Sequence, residues 1–311
     1  MVRRYILQRL LHLLVILFGA TFLSFALMHT VSTDTVDVLY TLNGNANAAV
    51  AAAKRASLGL DRTFLVQYGD WLWRILHGDM GNSFVSGEPV LTTILQKLPA
   101  TMELMVLALL MTILAALPLG ILAALHRDRF WDQAVRIFSF LGNAMPDFFT
   151  ALLLLYLFAV HWHLFSFLDA SRLPVLPALT LSIAMTAKSI RQVRAVFLDE
   201  LSKTYVQAAL VRGLPVNTVL LHYVLRSVLA PLLALLGVSA GSLLGGAAIV
   251  ESIFLWDGIG KLAVDAILLR DYPVIQAYVI WMCVIYVGVN LLMDLLSAFL
   301  DPRVAERGSD Q

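Results

Sequence analysis

Tyr205-Val206-Gln207-Ala208-Ala209-Leu210-Val211-Arg212-Gly213-Leu214-Pro215 lies between two apolar stretches and is itself too polar to cross a bilayer. A helix over about 199–212 accounts for its spacing. Gly213 then suits the left-handed position just past a helix end. Pro215 cannot continue that helix but fits the first turn of another. A second piece over 216–226 leads into Leu229-Ala230-Pro231, where the next apolar run begins. The expected local structure is helix, tight turn, helix, with Leu210, Val211 and Leu214 in contact with water unless something covers them. An amphipathic helix lying in the membrane interface accounts for the same pattern.

Outward from this loop, the chain reads as a membrane protein. Of its 311 residues, 60% are hydrophobic and only 14% charged, and the mean hydropathy is +0.82. Soluble domains carry roughly 25% charged residues, so a soluble enzyme of this composition is excluded. Six runs are long enough to span, at about 10–30, 100–125, 134–160, 174–194, 228–250 and 275–299. The first is too long for a signal-peptide core and has no cleavage site close behind it, so an uncleaved span is expected. Most of the 22 lysines and arginines fall on the segments that are inside if the N-terminus is cytoplasmic. Both termini are therefore expected in the cytoplasm. The expected layout is a first span over 1–30, an external region over 31–98, a transmembrane domain over 99–300 and a cytoplasmic tail over 301–311. The 199–227 loop then faces the cytoplasm, and the 251–274 segment joins the last two spans outside. A net charge of +1 gives no reason to expect nucleic acid, and the lone Cys283 excludes an internal disulfide.

Gln207-Ala208-Ala209-x-x-x-Gly213 followed by Leu229-Ala230-Pro231 resembles the "EAA" loop of ABC importer permeases, with Gln207 where the family usually has Glu. The resemblance extends along most of the chain. It takes in Gly59-Leu60-Asp61, Gly78-Asp79-Met80-Gly81 and Leu98-Pro99-Ala100-Thr101. Near the C-terminus it takes in Glu251-Ser252-Ile253-Phe254, Gly258-Ile259-Gly260, Arg270-Asp271-Tyr272-Pro273, Asn290, Asp294 and Asp301-Pro302-Arg303. Asp257-Gly258 stands where the family usually has Pro-Gly. These motifs are similar to the first permease of dipeptide, oligopeptide and nickel importers. Trp71-Leu72-Trp73, His126-Arg127-Asp128-Arg129 and the stretch from Phe140 to Phe148 resemble the nickel branch, with peptides the alternative cargo.

The resemblance implies an all-α type I permease fold with six transmembrane helices in the bacterial inner membrane. It also implies a job for the loop: Tyr205, Gln207, Ala208, Ala209, Arg212, Gly213 and Leu214 form a coupling helix that docks on an ATPase subunit. The implied partners are a second homologous permease, two ATPase subunits, an extracytoplasmic solute-binding protein and the lipid bilayer. ATP and Mg²⁺ would sit on the ATPase subunits and no cofactor on this chain. Glu251, Asp257, Gly258, Gly260, Arg270 and Asp271 are the positions expected to face the binding protein.

Other residues admit plainer explanations. Gly237, Gly241 and Gly245 recur every four residues and allow close helix contact, either within the subunit or at the pore and dimer interface. Lys188, Arg191 and Arg194 are expected to reach lipid headgroups. Glu103 and Glu251 are expected at the outer face, in water. His161 and His163 diverge on either regular structure and make a poor metal pair. Asn290 and Asp294 share a helix face, and Asp294 could serve a proton-coupled secondary transporter, the main rival class. Asp257-Gly258-Ile259-Gly260-Lys261 hints at a phosphate loop, but Leu255 and Leu262 occupy two positions that the motif requires. No ATP hydrolysis is therefore expected from this chain.

Overall fold

Hydrocarbon offers the backbone no hydrogen-bond partners, so apolar runs must satisfy their own N–H and C=O groups, which a helix does. The computed structural model describes residues 2–30, 36, 48–164 and 173–300. The Asn43-Gly44-Asn45 turn, most of the 161–173 loop, the side chain of Asp294 and the 301–311 tail lie outside the described residues. In chain order the helices begin with α1 (Val2–Thr30), α2 (Ala48–Leu58), α3 (Phe64–Leu76) and α4 (Val90–Leu125). Next come α5 (Phe130–Ala144), α6 (Asp147–Leu155, prolonged by a π-turn over Tyr156–His161), α7 (Val175–Leu201) and α8 (Thr204–Val211). A short α9 (Val216–Thr218) passes through a π-turn at Val219–Val224 into α10 (Leu225–Phe254), and α11 (Ile259–Leu269) and α12 (Tyr272–Leu300) follow. No strand occurs among the described residues, only an isolated bridge between Asn82 and Pro89.

The chain divides into two compact units, residues 1–102 with 255–287 and residues 103–254 with 288–311. In the first unit, Phe22 and Phe25 of α1 meet Phe64 and Tyr68 of α3 edge to face, with ring centroids 5.4–5.7 Å apart. Val90 and Ile94 of α4 pack against Ile259 and Ala266 of α11 and against Val274 and Ala277 of α12. Polar clips hold the connections. Trp256 donates from Nε1 to the Ala100 carbonyl at 3.0 Å, and the Ile259 N–H reaches Thr101 Oγ1 at 2.9 Å. α4 starts ten residues before the apolar run expected at 100, because its first turns are buried against α11 rather than by lipid.

The second unit is built around α7, half of whose 27 residues are buried. Four of its hydroxyl residues, Thr180, Ser182, Thr186 and Ser189, are among them. Thr180 and Ser182 satisfy themselves on their own helix, at the carbonyls of Leu176 and Leu179. Glycines let the neighbours approach. A Cβ on Gly120 of α4 would lie 2.6 Å from Val193 Cγ1, and one on Gly142 of α5 would lie 2.8 Å from Ala187 Cβ. Asp132, with no exposed side-chain surface, accepts both Nε and Nη2 of Arg194, at 2.6 and 2.8 Å, and also the Asp128 N–H at 2.9 Å. Arg194 is thus tied to α5 instead of reaching headgroups.

Two further expectations change. The run expected as one helix over 134–160 is broken at Met145-Pro146 by 101°. Pro146 drives Met145 out of the helical region, to φ −83° and ψ 125°. Among the described residues, four helices are long and apolar enough to cross a bilayer, five if the broken pair counts as one. The segment expected to cross at 174–194 is α7, whose four hydroxyl residues are buried in protein but whose Arg191 is exposed; it is more polar than the helices that can cross by composition.

The Asp132–Arg194 pair carries a prediction. Arg194→Ala leaves the buried Asp132 carboxylate only Arg136, at 3.6 Å, and the Asp128 N–H, and should cost up to about 3 kcal/mol. Asp132→Asn combined with Arg194→Leu should cost clearly less than the sum of the single changes. Unfolding curves of the purified protein in detergent check both; additive losses would mean that the pair is not coupled.

Candidate functional site

α8 buries one side and displays the other, although both sides are largely apolar. Val206 and Ala209 are buried in a cluster with Phe197 of α7 and Val219, Val224, Val228 and Leu232 of the α9–α10 segment. Tyr205, Ala208 and Arg212 follow one another at helical spacing on the opposite, exposed side. Val211 is 87% exposed, and Leu214 and Val216 are exposed as well. The loop therefore presents an apolar patch whose own core is already filled.

Glu200, at the end of α7, sets this helix in place. It is 4% exposed. Its Oε2 accepts Lys203 Nζ at 2.6 Å, and its Oε1 accepts the Tyr205 hydroxyl. Burial pushes the Glu200 carboxyl up, but the hydrogen bonds from Lys203, Tyr205 and Ser227 outweigh it and hold the group below its ordinary value. The hydrogen bond to Glu200 raises the Lys203 ammonium, and burial together with the same carboxylate raises the Tyr205 hydroxyl. Glu200 thus joins the entry to α8 and the start of α10 through one carboxylate. Sequence reasoning missed it; the signal was a carboxylate three residues after Phe197 on the buried side of a helix, with Lys203 three residues further on.

The helix expected over 199–212 is two helices, because the chain turns at Ser202-Lys203. Gln207 closes that turn by donating from Nε2 to the Leu201 carbonyl at 2.9 Å. Gly213 has φ +82°, as its place after α8 requires, and its N–H donates to the Leu210 carbonyl at 3.0 Å. A Cβ there would meet nothing within 4 Å, so glycine is demanded by the backbone and not by packing.

The glycines of α10 separate. A Cβ on Gly237 would lie 3.0 Å from Met293 Cβ and 3.5 Å from Asn290 Oδ1, both on α12, so Gly237 serves packing inside the subunit. Gly241 is half-buried. Gly245 is exposed with open space beside it. Of the positions expected to face a binding protein, Glu251, Gly258, Gly260 and Asp271 are buried. The expectation that Glu251 meets water is overturned, since it has no exposed surface; Glu103 is exposed. Asp257 is exposed and pairs with Lys97. Arg270 is half-buried in the left-handed region, φ 55°. Asp271 accepts the Ser83 hydroxyl and the Phe84 N–H, fastening the 81–87 loop to the start of α12. No group of His, Cys, Asp or Glu suited to a metal ion occurs among the described residues.

Helices long and apolar enough to cross a bilayer define the chain as an integral membrane protein. The chain belongs to the family of binding-protein-dependent transport system inner membrane components, whose model matches residues 116–306, and the family's N-terminal model matches residues 1–105. It is an integral inner-membrane protein and not an enzyme; ATPase activity in such systems lies on separate subunits. This family sets aside the proton-coupled rival. Among curated proteins, the chain is similar to the nickel import system permease protein NikB of Staphylococcus aureus strain MRSA252. The two are 36% identical over 299 residues, which cover 96% of this chain and 90% of that protein. The NikB of strain USA300 is 35% identical over 298 residues, with the same coverage.

Two outcomes test the loop. Proline locks φ near −65° and has no N–H, so Gly213→Pro should abolish transport while leaving membrane insertion intact, whereas Gly213→Ala should cost about 1 kcal/mol of local stability. Uptake and membrane-fraction assays of the two variants decide this; normal uptake by Gly213→Pro would remove the loop from the mechanism. Because the folded-state value of Glu200 is lowered, the stability it contributes is complete above its unfolded value. That stability is lost as pH falls through the folded one. Pepsin cleavage at Tyr205, compared at each pH with the Glu200→Gln variant, should therefore accelerate only below about pH 4.5 in the parent, and the variant should show no such step.

Proposed function

We propose that this chain is one of two permease subunits of an ATP-driven importer, and that its cargo is nickel or a nickel chelate. The apolar patch on α8, displayed by a helix whose inner side is already packed, carries the reading of Tyr205, Ala208, Arg212, Gly213 and Leu214 as the contact for an ATPase subunit. The nickel assignment rests on the S. aureus permeases, similar over nearly the whole chain. A solute-binding protein delivers the cargo outside. A second homologous permease completes the pore, and two ATPases holding ATP and Mg²⁺ drive it. Both termini lie in the cytoplasm, in keeping with the excess of Lys and Arg on the inward segments.

In mechanism, ATP-driven closure of the ATPases draws the coupling helices together and turns the pore from inward- to outward-facing, an alternating-access movement of rigid bodies. Glu200 makes α8 part of the rigid body, since a push on α8 passes into α7 and α10 through one carboxylate and the shared apolar cluster. Arg194 and Asp132 extend the same body to α5. Affinity for the cargo resides in the binding protein, so the pore needs few contacts of its own.

The test is the ATPase activity of the four-subunit complex in lipid nanodiscs with its binding protein added. Stimulation by the nickel-loaded protein and not by the peptide-loaded one is expected. Stimulation by peptides alone would keep the transporter class and overturn the nickel assignment. No stimulation by either would overturn the importer reading.

A further inference from the structure

At 13 residues α3 is too short to cross a bilayer, yet one of its sides is too apolar for water. Three rows of residues run along it at helical spacing. The first faces α1. Phe64 and Tyr68 meet Phe22 and Phe25, Trp71 meets Phe25 at 6.3 Å, and the Tyr68 hydroxyl lies 3.3 Å from Thr21 Oγ1. The ring contacts with α1 fall between Phe18 and His29, towards the Thr30 end of the apolar run Leu13–Thr30. α3 is thus held near the level where that run leaves the hydrocarbon.

The second row, Leu65, Leu72 and Leu76, is open. Leu65 and Leu76 are 72 and 73% exposed, and Trp73 beside them is 66% exposed. The third row, Asp70 and Arg74 continued by His77, is exposed as well and lies nearly opposite the leucines. Asp70 pairs across the surface with Arg62 at 2.7 Å. Trp73 stands between the leucines and the charges, its ring centroid 4.4 Å from that of His77.

Charges along one side of a helix and bare leucines along the other match a boundary between water and hydrocarbon. Tryptophan concentrates at the same boundary, where its ring meets acyl chains and its N–H meets water. The neighbouring surface of α1 agrees. Leu11, Leu14 and Phe18 share the side of α1 that Phe22 and Phe25 present to α3, and all three are exposed. Below α3, therefore, this side of a membrane-spanning run is open, and the leucine row adjoins surface that already stands in hydrocarbon.

We propose that α3 is a lipid-bound interfacial helix of the outer leaflet, with Leu65, Leu76 and Trp73 among the acyl chains and Asp70, Arg74 and His77 in water. Helices of this kind sink about 5–10 Å into the boundary between headgroups and chains. The choice of leaflet rests on the cytoplasmic placement of the N-terminus; the lipid contact does not. Part of the 31–98 region expected outside the membrane then lies in its surface, and the 81–87 loop that follows α3 is held close to the bilayer.

The experiment places a nitroxide on single cysteines in the permease–ATPase complex in nanodiscs, with Cys283→Ala removing the native thiol. The positions are exposed, so folding is spared: Leu65→Cys, Leu76→Cys, Arg74→Cys and His77→Cys. Oxygen, which concentrates in acyl chains, and chromium oxalate, which stays in water, are compared as relaxing agents. Oxygen should act several-fold more strongly than chromium oxalate on the labels replacing Leu65 and Leu76, and the order should reverse for those replacing Arg74 and His77. Equal access of chromium oxalate to all four would place the leucines in water and overturn the proposal. Exclusion of both agents from the two leucine positions would overturn it in favour of a protein cover, such as the second permease. A loss of access there on adding the binding protein would overturn it in favour of that protein. A membrane-impermeant maleimide applied to spheroplasts reads the leaflet separately. His77→Cys should react before permeabilisation; reaction only afterwards would overturn the outer placement and leave the lipid contact.

Discussion

α7 is a helix that lipid cannot cover. It carries Lys188, Arg191 and Arg194 and a series of hydroxyls, and a charge or open hydroxyl facing hydrocarbon is costly. The second unit is the solution to that constraint. α4, α5, α6 and α10 bury the hydroxyl-bearing side of α7, through glycines where the backbones must come close and through Asp132 where Arg194 would otherwise stand unpaired, while Arg191 stays exposed.

The same economy governs the displayed loop. α8 is too short to be stable alone. Its inner residues Val206 and Ala209 complete a cluster that includes Phe197 and Val228, and Glu200 fixes its start. Because the inner side is spoken for, Val211, Leu214 and Tyr205 are left outside, and an exposed apolar patch on an otherwise packed element indicates a partner. Gly213 contributes only the left-handed turn that lets the chain return to the bundle.

Much of this is legible in the residue order. The apolar runs mark α1, α4, α10 and α12 to within a few residues, apart from the early starts of α1 and α4. Gly213 and Pro215 mark the turn through their backbone chemistry alone. The break at Met145-Pro146 is readable in principle, since the residue before proline avoids the helical region, yet the apolar run on either side argues for one continuous span. Arg194 and Glu251 depart from expectation for a related reason. Spacing along a helix gives the side a residue faces, but it does not tell whether lipid, water or another helix lies there.

The sequence by itself determined that the chain is helical, that it lives in a membrane and that it carries a patterned polar loop, because hydrophobic run length and turn chemistry are local properties. Only the tertiary structure decided that Asp132 finds Arg194, that Glu200 gathers Lys203, Tyr205 and Ser227, and that Tyr68 of α3 meets Thr21 and Phe25 of α1. Asp132 and Arg194 lie 62 positions apart, and Thr21 and Tyr68 lie 47 apart. Pairings over such separations depend on how the helices pack, which no local pattern encodes.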